Sequence, residues 1–398
     1  MDFNRVAPNS LDERKQGAPA KEPTPKPRKP KVIDLFAGVG GLSLGATRSG
    51  FELSLAVEKD KHASAAHKAN FPNALHSEAD ISTYDGKALL SAAKLEEGEL
   101  DGLIGGPPCQ GFSAIGRRKV ADDRNSLFKK FFELTAECCP KFFVAENVLG
   151  ILDSQYADIR EKALNCVRNL YVILEPIKLK ACDFGAPTSR ERVFFVGYRA
   201  DALAPLVEAE FNAKKVETHT FVGEALAGLP AVRDNWIEEF QGLRVVKPLE
   251  QNEYGIRISA KIPDGIGNEE AVRQYRELNL VSGCLGTRHT DEVRARYAAL
   301  KPGGKDETSK AVRLKPDGLC PTLRAGTAAD KGSYQAVRPI HPTMPRVITP
   351  REAARLQGFP DWFRFAPSKW HSFRQIGNSV SPFVAEAVLT VIRSKLTS

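Results

Sequence analysis

No stretch of the 398-residue sequence approaches the ~18 to 20 consecutive apolar residues that cross a bilayer. The first thirty residues also lack the apolar core of a secretory signal. The expected protein is therefore soluble and cytoplasmic, with no membrane partner. Cysteine is sparse: there are seven, an odd number, with no Cys-x-x-Cys pair and no clustered Cys/His set. That pattern fits a reducing compartment and gives no reason to assign a metal site. Each cysteine is then either core filler or a reactive thiol. No internal repeat is evident.

A hydrophobic share of 42% with 27% charged residues excludes wholesale disorder. At about 150 residues per domain, the length suggests two to three units. The net charge of +8 is unevenly placed. Residues 1–31 carry eight Lys/Arg against four Asp/Glu, with six of the 26 prolines, and read as a solvated, extended tail. Residues 201–280 hold nine basic and fourteen acidic residues, whereas 281–345 hold eleven and six, and 346–398 hold eight and three. A polyanion would prefer the surface of the last two segments, though charge alone is a weak signal.

Order opens at Lys31-Val-Ile-Asp-Leu-Phe36, a β-branched run followed by Ala-Gly-Val-Gly-Gly, a helix from Leu42, and a second strand, Phe51–Val57, ending at Glu58. Strands are also expected at Asp101–Gly105, Phe142–Ala145 and Arg192–Gly197, and a helix over 125–139. Such alternation argues a parallel sheet covered by helices. The glycine turn, Glu58, Pro-Pro-Cys109 and Glu146-Asn-Val all fall at strand carboxyl ends, where open α/β sheets bind ligands. From about 200 to 345 the alternation fades. It returns at Thr349-Pro-Arg-Glu352, which reads as a capping box, with Gly358 ending that helix. A last helix is expected over Val380–Leu396.

Gly38, Gly40 and Gly41 let backbone approach a ligand closely at a helix amino-terminus, and Glu58 is placed to accept ribose hydroxyls. Together they suggest an adenosine-containing ligand; a dinucleotide enzyme is the rival that the turn alone does not settle, although Gly-x-Gly-Gly departs from its pattern Gly-x-Gly-x-x-Gly. Cys109 follows two prolines that fix its backbone, which suits a nucleophile presented into a cleft. Glu146 is its natural partner at the neighbouring strand end, and Arg190 and Arg192 share one face of an extended segment. Buried filler for Cys109, and salt bridges for the others, remain open on these grounds.

The ordered blocks Asp34-Leu-Phe-Ala-Gly-Val-Gly-Gly41, Gly106-Pro-Pro-Cys-Gln-Gly-Phe-Ser113, Glu146-Asn-Val148, Arg190-Glu-Arg192, Arg351-Glu-Ala-Ala-Arg-Leu-Gln-Gly-Phe-Pro360 and Arg374-Gln-Ile-Gly-Asn-Ser-Val380 resemble those of the DNA (cytosine-5) methyltransferases. The likeness runs from about 32 to 199 and from 346 to 392. It implies an α/β fold: a Rossmann-like S-adenosylmethionine-dependent methyltransferase domain with a smaller, irregular target-recognition domain. The expected boundaries are a tail at 1–30, a catalytic domain at 31–200 completed by 346–398, and recognition at 201–345.

By the same resemblance, Cys109 is the nucleophile that attacks carbon 6 of a flipped-out cytosine, and Glu146 engages N3 and the exocyclic amine. Arg192, with Arg190 beside it, holds the cytosine O2. Phe36 packs on the adenine of S-adenosylmethionine, and Gly38, Gly40 and Gly41 line its amino-acid end. Glu58 binds the ribose, and Asp80 and Ile81 meet the adenine. Pro107, Leu127, Asn378 and Val380 close the pocket. Two positions depart from the family pattern: Thr188 stands where Gln is usual, and Lys59 where an apolar or aromatic residue is usual, its stem still able to cover adenine.

Residues 111–130 are expected to form a loop closing over the base, with Gln110, Ser113, Arg117 and Arg118 on DNA. Pro321-Thr322-Leu323 resembles the recognition Thr-Leu element, and Arg288, Arg294, Arg296, Arg313 and Arg324 are candidate DNA contacts. The expected enzyme is a monomer acting on double-stranded DNA, of restriction-modification or stand-alone type. A transfer-RNA cytosine methyltransferase is the alternative substrate class, and a nucleic-acid-binding protein with a dead site is the alternative of another kind.

Overall fold

Eight strands share one sheet: β1 (Lys31–Leu35), β2 (Glu52–Val57), β3 (Leu75–Ser77), β4 (Gly102–Gly105), β5 (Phe142–Asn147), β6 (Val172–Ile173), β7 (Ile177–Lys180) and β8 (Glu191–Tyr198). They belong to a computed structural model that describes residues 28–108, 125–232, 242–249, 252–325 and 337–397. The expected tail up to residue 27, and Cys109, Gln110, Ser113, Arg117 and Arg118, lie outside the described residues. The strand order is β3-β2-β1-β4-β5-β8-β6, with β7 also on β8. Pairs among β1 to β5 are parallel, and β8 runs antiparallel to β5, β6 and β7. Parallel neighbours need crossovers, and α1 (Gly41–Arg48), α2 (Lys61–Asn70), α3 (Gly86–Ala92) and α4 (Asn125–Cys138) provide them, followed by α5 (Ala157–Leu164).

A strict period of two builds the core. On β5, Phe142 and Val144 face the layer that holds α1 and the last helix, while Phe143 and Ala145 face that of α3, α4 and α5. β8 does the same with Phe194 and Val196 against Val193 and Phe195. Phe132 meets Phe143 edge-on at 5.4 Å, and Phe128 meets Phe195 at 5.5 Å. Each fully buried phenylalanine stabilises the sheet by roughly 1.5–3 kcal/mol.

The strands expected around residues 31, 52, 101, 142 and 192 are present, as is the helix near 125–139. One expectation is corrected: α4 starts at Asn125, so the last six residues of the expected 111–130 loop are helical. The sequence reading did not anticipate α2. Its Lys-His-Ala-Ser-Ala-Ala run has a weak apolar stripe, and Asp60 caps it by accepting from His62 and Ala63 N–H at 3.0 Å.

Between residues 201 and 345 the described chain forms short helices and one two-stranded ladder. Much of it shares the sheet's core, since Val222, Ala225, Tyr254, Ile258, Leu314 and Leu323 pack in the same cluster as Phe194 and Val384. Two small clusters, around Val281 and Tyr297, are local.

The Pro350–Leu356 helix has the expected capping box: Thr349 Oγ1 accepts from Glu352 N–H at 3.2 Å, and Glu352 accepts from Thr349 N–H at 2.7 Å. Gly358 follows with φ 88°. Every charged side chain of this helix is buried and hydrogen-bonded. Arg346 reaches Glu352 at 2.7 and 2.9 Å, and Arg355 reaches Asp361 at 2.6 and 2.9 Å. Arg351 donates to the carbonyls of Ser282, Pro360 and Phe363. The Pro382–Lys395 helix then lies across α1, so close that a Cβ at Gly45 would stand 2.6 Å from the Ala385 carbonyl carbon. Among the described residues no helix is long and apolar enough to cross a membrane.

Candidate active site

Parallel pairing puts the ends of three strands side by side, Leu35 beside Val57 and Val57 beside Ser77. The glycine turn, Glu58 and the Asp80–Ile81 corner therefore follow one another along a single edge. The turn is held in a demanding geometry. Phe36 has φ 58°, Gly38 56° and Gly40 103°. The left-handed conformation costs Phe36 on the order of 1–3 kcal/mol, a strain found where surrounding structure over-determines a functional turn. Glu58 is one restraint: its Oε2 accepts the Gly38 N–H at 2.9 Å and its Oε1 the Asp60 N–H at 2.7 Å. Burial raises the Glu58 pKa, against those two hydrogen bonds. A Cβ at Gly41 would overlap Ser379 Oγ and the Val380 carbonyl, so the returning carboxyl-terminal segment closes on the turn. Val380 is buried there, and Asn378 is exposed at the end of the Lys369–Asn378 helix.

At the far end of this edge, Ile81 is buried, and Asp80 caps a short helical turn by accepting from Ser82 N–H at 3.0 Å. The other Asp80 oxygen receives the Lys59 ammonium at 2.6 Å. That hydrogen bond is the largest cause holding the Asp80 carboxyl down at about 2. Lys59 thus spans from the end of β2 to the end of β3.

The next two strand ends carry the other chemistry. β4 runs into Gly106 and Pro107, whose carbonyl accepts from the buried Asn147 Nδ2 at 3.2 Å. Residue 109 comes two positions later. On β5, Glu146 is 7% exposed, with the Arg192 Nε 2.9 Å from its Oε1. A Cβ at Gly106 would lie 3.4 Å from Glu146 Oε2, so β4's exit passes directly beside that carboxylate. Leu127, near the start of α4, is half-buried.

Arg190 takes a different position from Arg192. It is buried, and its Nη1 and Nη2 donate to the carbonyls of Gly377 and Asn378 at 2.9 and 3.4 Å. The two guanidiniums were expected to act together on a base. This geometry instead assigns Arg192 to Glu146 and Arg190 to the end of the Lys369–Asn378 helix.

The basic candidates beyond residue 281 divide similarly. Arg313 donates to the carbonyls of Tyr297, Ala298, Leu300 and Pro342, and Arg296 pairs with Asp306 at 3.2 Å and Glu292 at 3.3 Å. Their guanidiniums hold the fold, which corrects the expectation that both face DNA. Arg288, Arg294, Thr322 and Arg324 are exposed, and Leu323 is buried.

Sequence reasoning missed a buried polar chain behind the glycine turn. Asp34 Oδ2 accepts from Ser43 Oγ at 2.5 Å, Ser43 Oγ meets His67 Nε2 at 3.0 Å, and His67 Nδ1 meets His76 Nε2 at 2.9 Å. Burial pushes Asp34 up to about 7 and holds His67 well below the usual histidine range. No spacing rule links these four positions, so only the fold brings them together. Cys182, Asp183 and His219 offer ligand atoms within 4.8 Å of one another. Lys215 already stands 3.6 Å from that carboxylate, and burial pushes the Cys182 thiol up to about 11, so no metal is assigned there.

Strand order 3-2-1-4-5 with an antiparallel neighbour beside β5, and a glycine turn at the carboxyl end of β1, defines the Rossmann-like fold of S-adenosylmethionine-dependent methyltransferases. Within it the chain belongs to the C-5 cytosine-specific DNA methylase family, whose family model matches residues 30–394. It is therefore a methyltransferase that acts on DNA cytosine. It is 39% identical to the type II methyltransferase M.XorII of Xanthomonas oryzae, over 90% of this chain and 84% of that protein. It is 35% identical to M.DdeI of Desulfomicrobium norvegicum, over 90% and 87%. A crystal structure from E. coli, described as a prophage-encoded DNA modification methyltransferase, superposes with TM-score 0.83 at 46% identity, covering 92% of this chain and 99% of that one. The S. pombe Dnmt2 methyltransferase, at 16% identity and TM-score 0.58, shares the fold.

Proposed function

We propose that the protein transfers a methyl group from S-adenosylmethionine to carbon 5 of a flipped-out cytosine in a specific short duplex sequence, through a covalent Cys109 adduct. The observation that carries this reading is the buried Glu146 carboxylate, held by Arg192 at 2.9 Å, beside the strand exit that leads into residue 109. Cytosine carbon 5 is a poor nucleophile. Addition of the Cys109 thiolate to carbon 6 divides one difficult step into two easier ones. Glu146 engages N3 and the exocyclic amine, stabilising the charge that develops on the ring as sulfur adds. Arg192 fixes the orientation of that carboxylate. Loss of the carbon 5 proton to a base then allows the thiol to leave. Because a duplex stack hides both ring carbons, the base must be extruded.

The strained turn and the carboxylates along the first three strand ends fit an adenosyl ligand. Phe36, Gly38, Gly40, Gly41, Glu58, Lys59, Asp80, Ile81, Pro107, Leu127, Asn378 and Val380 would hold S-adenosylmethionine, which supplies an electrophilic methyl group. Residues 31–200 with 346–398 form the catalytic unit in this reading, and 201–345 the recognition unit. Gln110, Ser113, Arg117 and Arg118, with Arg288, Arg294, Thr322 and Arg324, are its DNA contacts. A restriction-modification role, a monomeric state and a cytoplasmic location complete it.

The test incubates purified protein with labelled S-adenosylmethionine and, in parallel, unmethylated plasmid DNA and transfer RNA, followed by bisulfite sequencing. Label at DNA cytosines sharing one short motif is the expected result, abolished in Cys109→Ser. Label in RNA alone overturns the substrate, and full activity of Cys109→Ser overturns the covalent step.

A further inference from the structure

Thr188, where relatives are expected to carry Gln, is fully buried. Its Oγ1 donates to the carbonyl of Cys320 at 3.0 Å. The same carbonyl accepts the Ser189 N–H at 2.9 Å, and the Cys320 N–H donates to the Pro187 carbonyl at 2.9 Å. A three-residue strip just before β8 thus grips Cys320 through both of its backbone groups. Two residues later, Thr322 and Arg324 are exposed on either side of the buried Leu323.

The other end of this exposed segment rests on the Lys369–Asn378 helix. A Cβ at Gly377 would stand 2.6 Å from the Ala325 nitrogen and from the Arg324 carbonyl carbon, so segment 324–325 rests directly on that glycine. The Gly377 carbonyl in turn accepts from Arg190 at 2.9 Å. Residues 187–190 therefore fix residue 320 directly and residue 325 through Gly377.

We infer that Thr188 is a positioning residue for base recognition, bracing residues 320–325 so that Thr322 and Arg324 meet DNA in one register. This rests on the sequence-specific reading above. Discrimination between bases depends on donors and acceptors held within about 0.5 Å of productive geometry, which makes the brace a determinant of fidelity rather than of chemistry. A glutamine there would need room that a fully buried threonine leaves to the Cys320 carbonyl. The departure from the family pattern is thus matched by a local contact.

The test compares wild type, Thr188→Val and Thr188→Ser on a randomised duplex library read by bisulfite sequencing, with steady-state constants for DNA and S-adenosylmethionine. Thr188→Val, which keeps the shape but loses the donor, is expected to lower discrimination against single-base variants of the motif about ten-fold, the worth of one buried hydrogen bond. KM for DNA rises, while kcat and KM for S-adenosylmethionine stay within about two-fold. Thr188→Ser restores the wild-type pattern. If Thr188→Val does not fold, Thr188→Ala, which removes the donor without adding bulk beside the Cys320 carbonyl, carries the same readout. Unchanged discrimination, or a loss confined to kcat, overturns the inference. A wild type that methylates cytosines without any shared motif overturns both this inference and the sequence-specific reading; a wild type with a motif and an indistinguishable Thr188→Val overturns this one alone.

Discussion

The central sheet and the Pro350–Leu356 helix are held by different forces. Around β5 and β8 the contacts are apolar and alternate by residue, so cohesion is non-directional and spread over many rings. At the Pro350–Leu356 helix a polar joint lies within the apolar cluster, with Arg355 reaching Asp361 and the Ala225 carbonyl from one buried position. Buried ion pairs add little net stability, because desolvation offsets their attraction, but they tolerate only one arrangement. The difference separates packing that tolerates small changes of shape from a joint that does not.

Breaking one partner of the joint is expected to have the largest effect. Arg355→Met leaves Asp361 buried without its cation and should cost about 3–5 kcal/mol, seen as a lowered denaturation midpoint. Arg355→Met with Asp361→Leu should recover most of that stability. If the single and double variants are equally unstable, the pair is not what makes the joint unforgiving. On the sheet side, Phe143→Leu keeps an apolar side chain and should cost less than about 1.5 kcal/mol by the same measurement. A larger loss there would erase the contrast between the two regions.

A smaller effect sharpens the picture behind the glycine turn. Asp34 is raised from 3.8 to about 7 by burial, so between those values the folded protein holds a proton that the unfolded chain has lost. Its contribution is fully present below about pH 4 and is lost as pH rises through about 7. Asp34→Asn should therefore gain thermal stability relative to wild type as pH goes from 5 to 8. A difference that is flat or of opposite slope in scanning calorimetry refutes the protonated Asp34. The smallest effect belongs to Lys59, whose side chain is 74% exposed. Lys59→Ala should change stability by no more than about 1 kcal/mol in a melting curve.

Legibility in the sequence follows the same division. Strands β1, β2, β4, β5 and β8 were readable because short β-branched or aromatic runs end in glycine, proline or an acidic residue. The capped helix at Thr349 was readable because its signals are local. The sites that escaped depend on distant segments. Nothing in the spacing of Asp34, Ser43, His67 and His76 announces a hydrogen-bonded chain. Arg190 and Arg192 look equivalent as letters two apart, yet a helix nearly two hundred positions later decides that only Arg192 meets Glu146. Arg296 and Arg313 looked like DNA ligands because residue type reports charge and not whether carboxylates or carbonyls of the fold have already claimed it.

The Pro382–Lys395 helix, which seats itself against α1, also sets a schedule. Ser49 bonds the Glu386 carbonyl across 337 positions of chain. At about 5–20 residues per second, a ribosome takes roughly 17–70 s to deliver the second half of that contact after the first. Throughout that interval the glycine turn has been synthesised without the segment that closes on it. A nascent chain therefore carries an open glycine turn until translation has passed the Ser379–Val380 segment that packs on it.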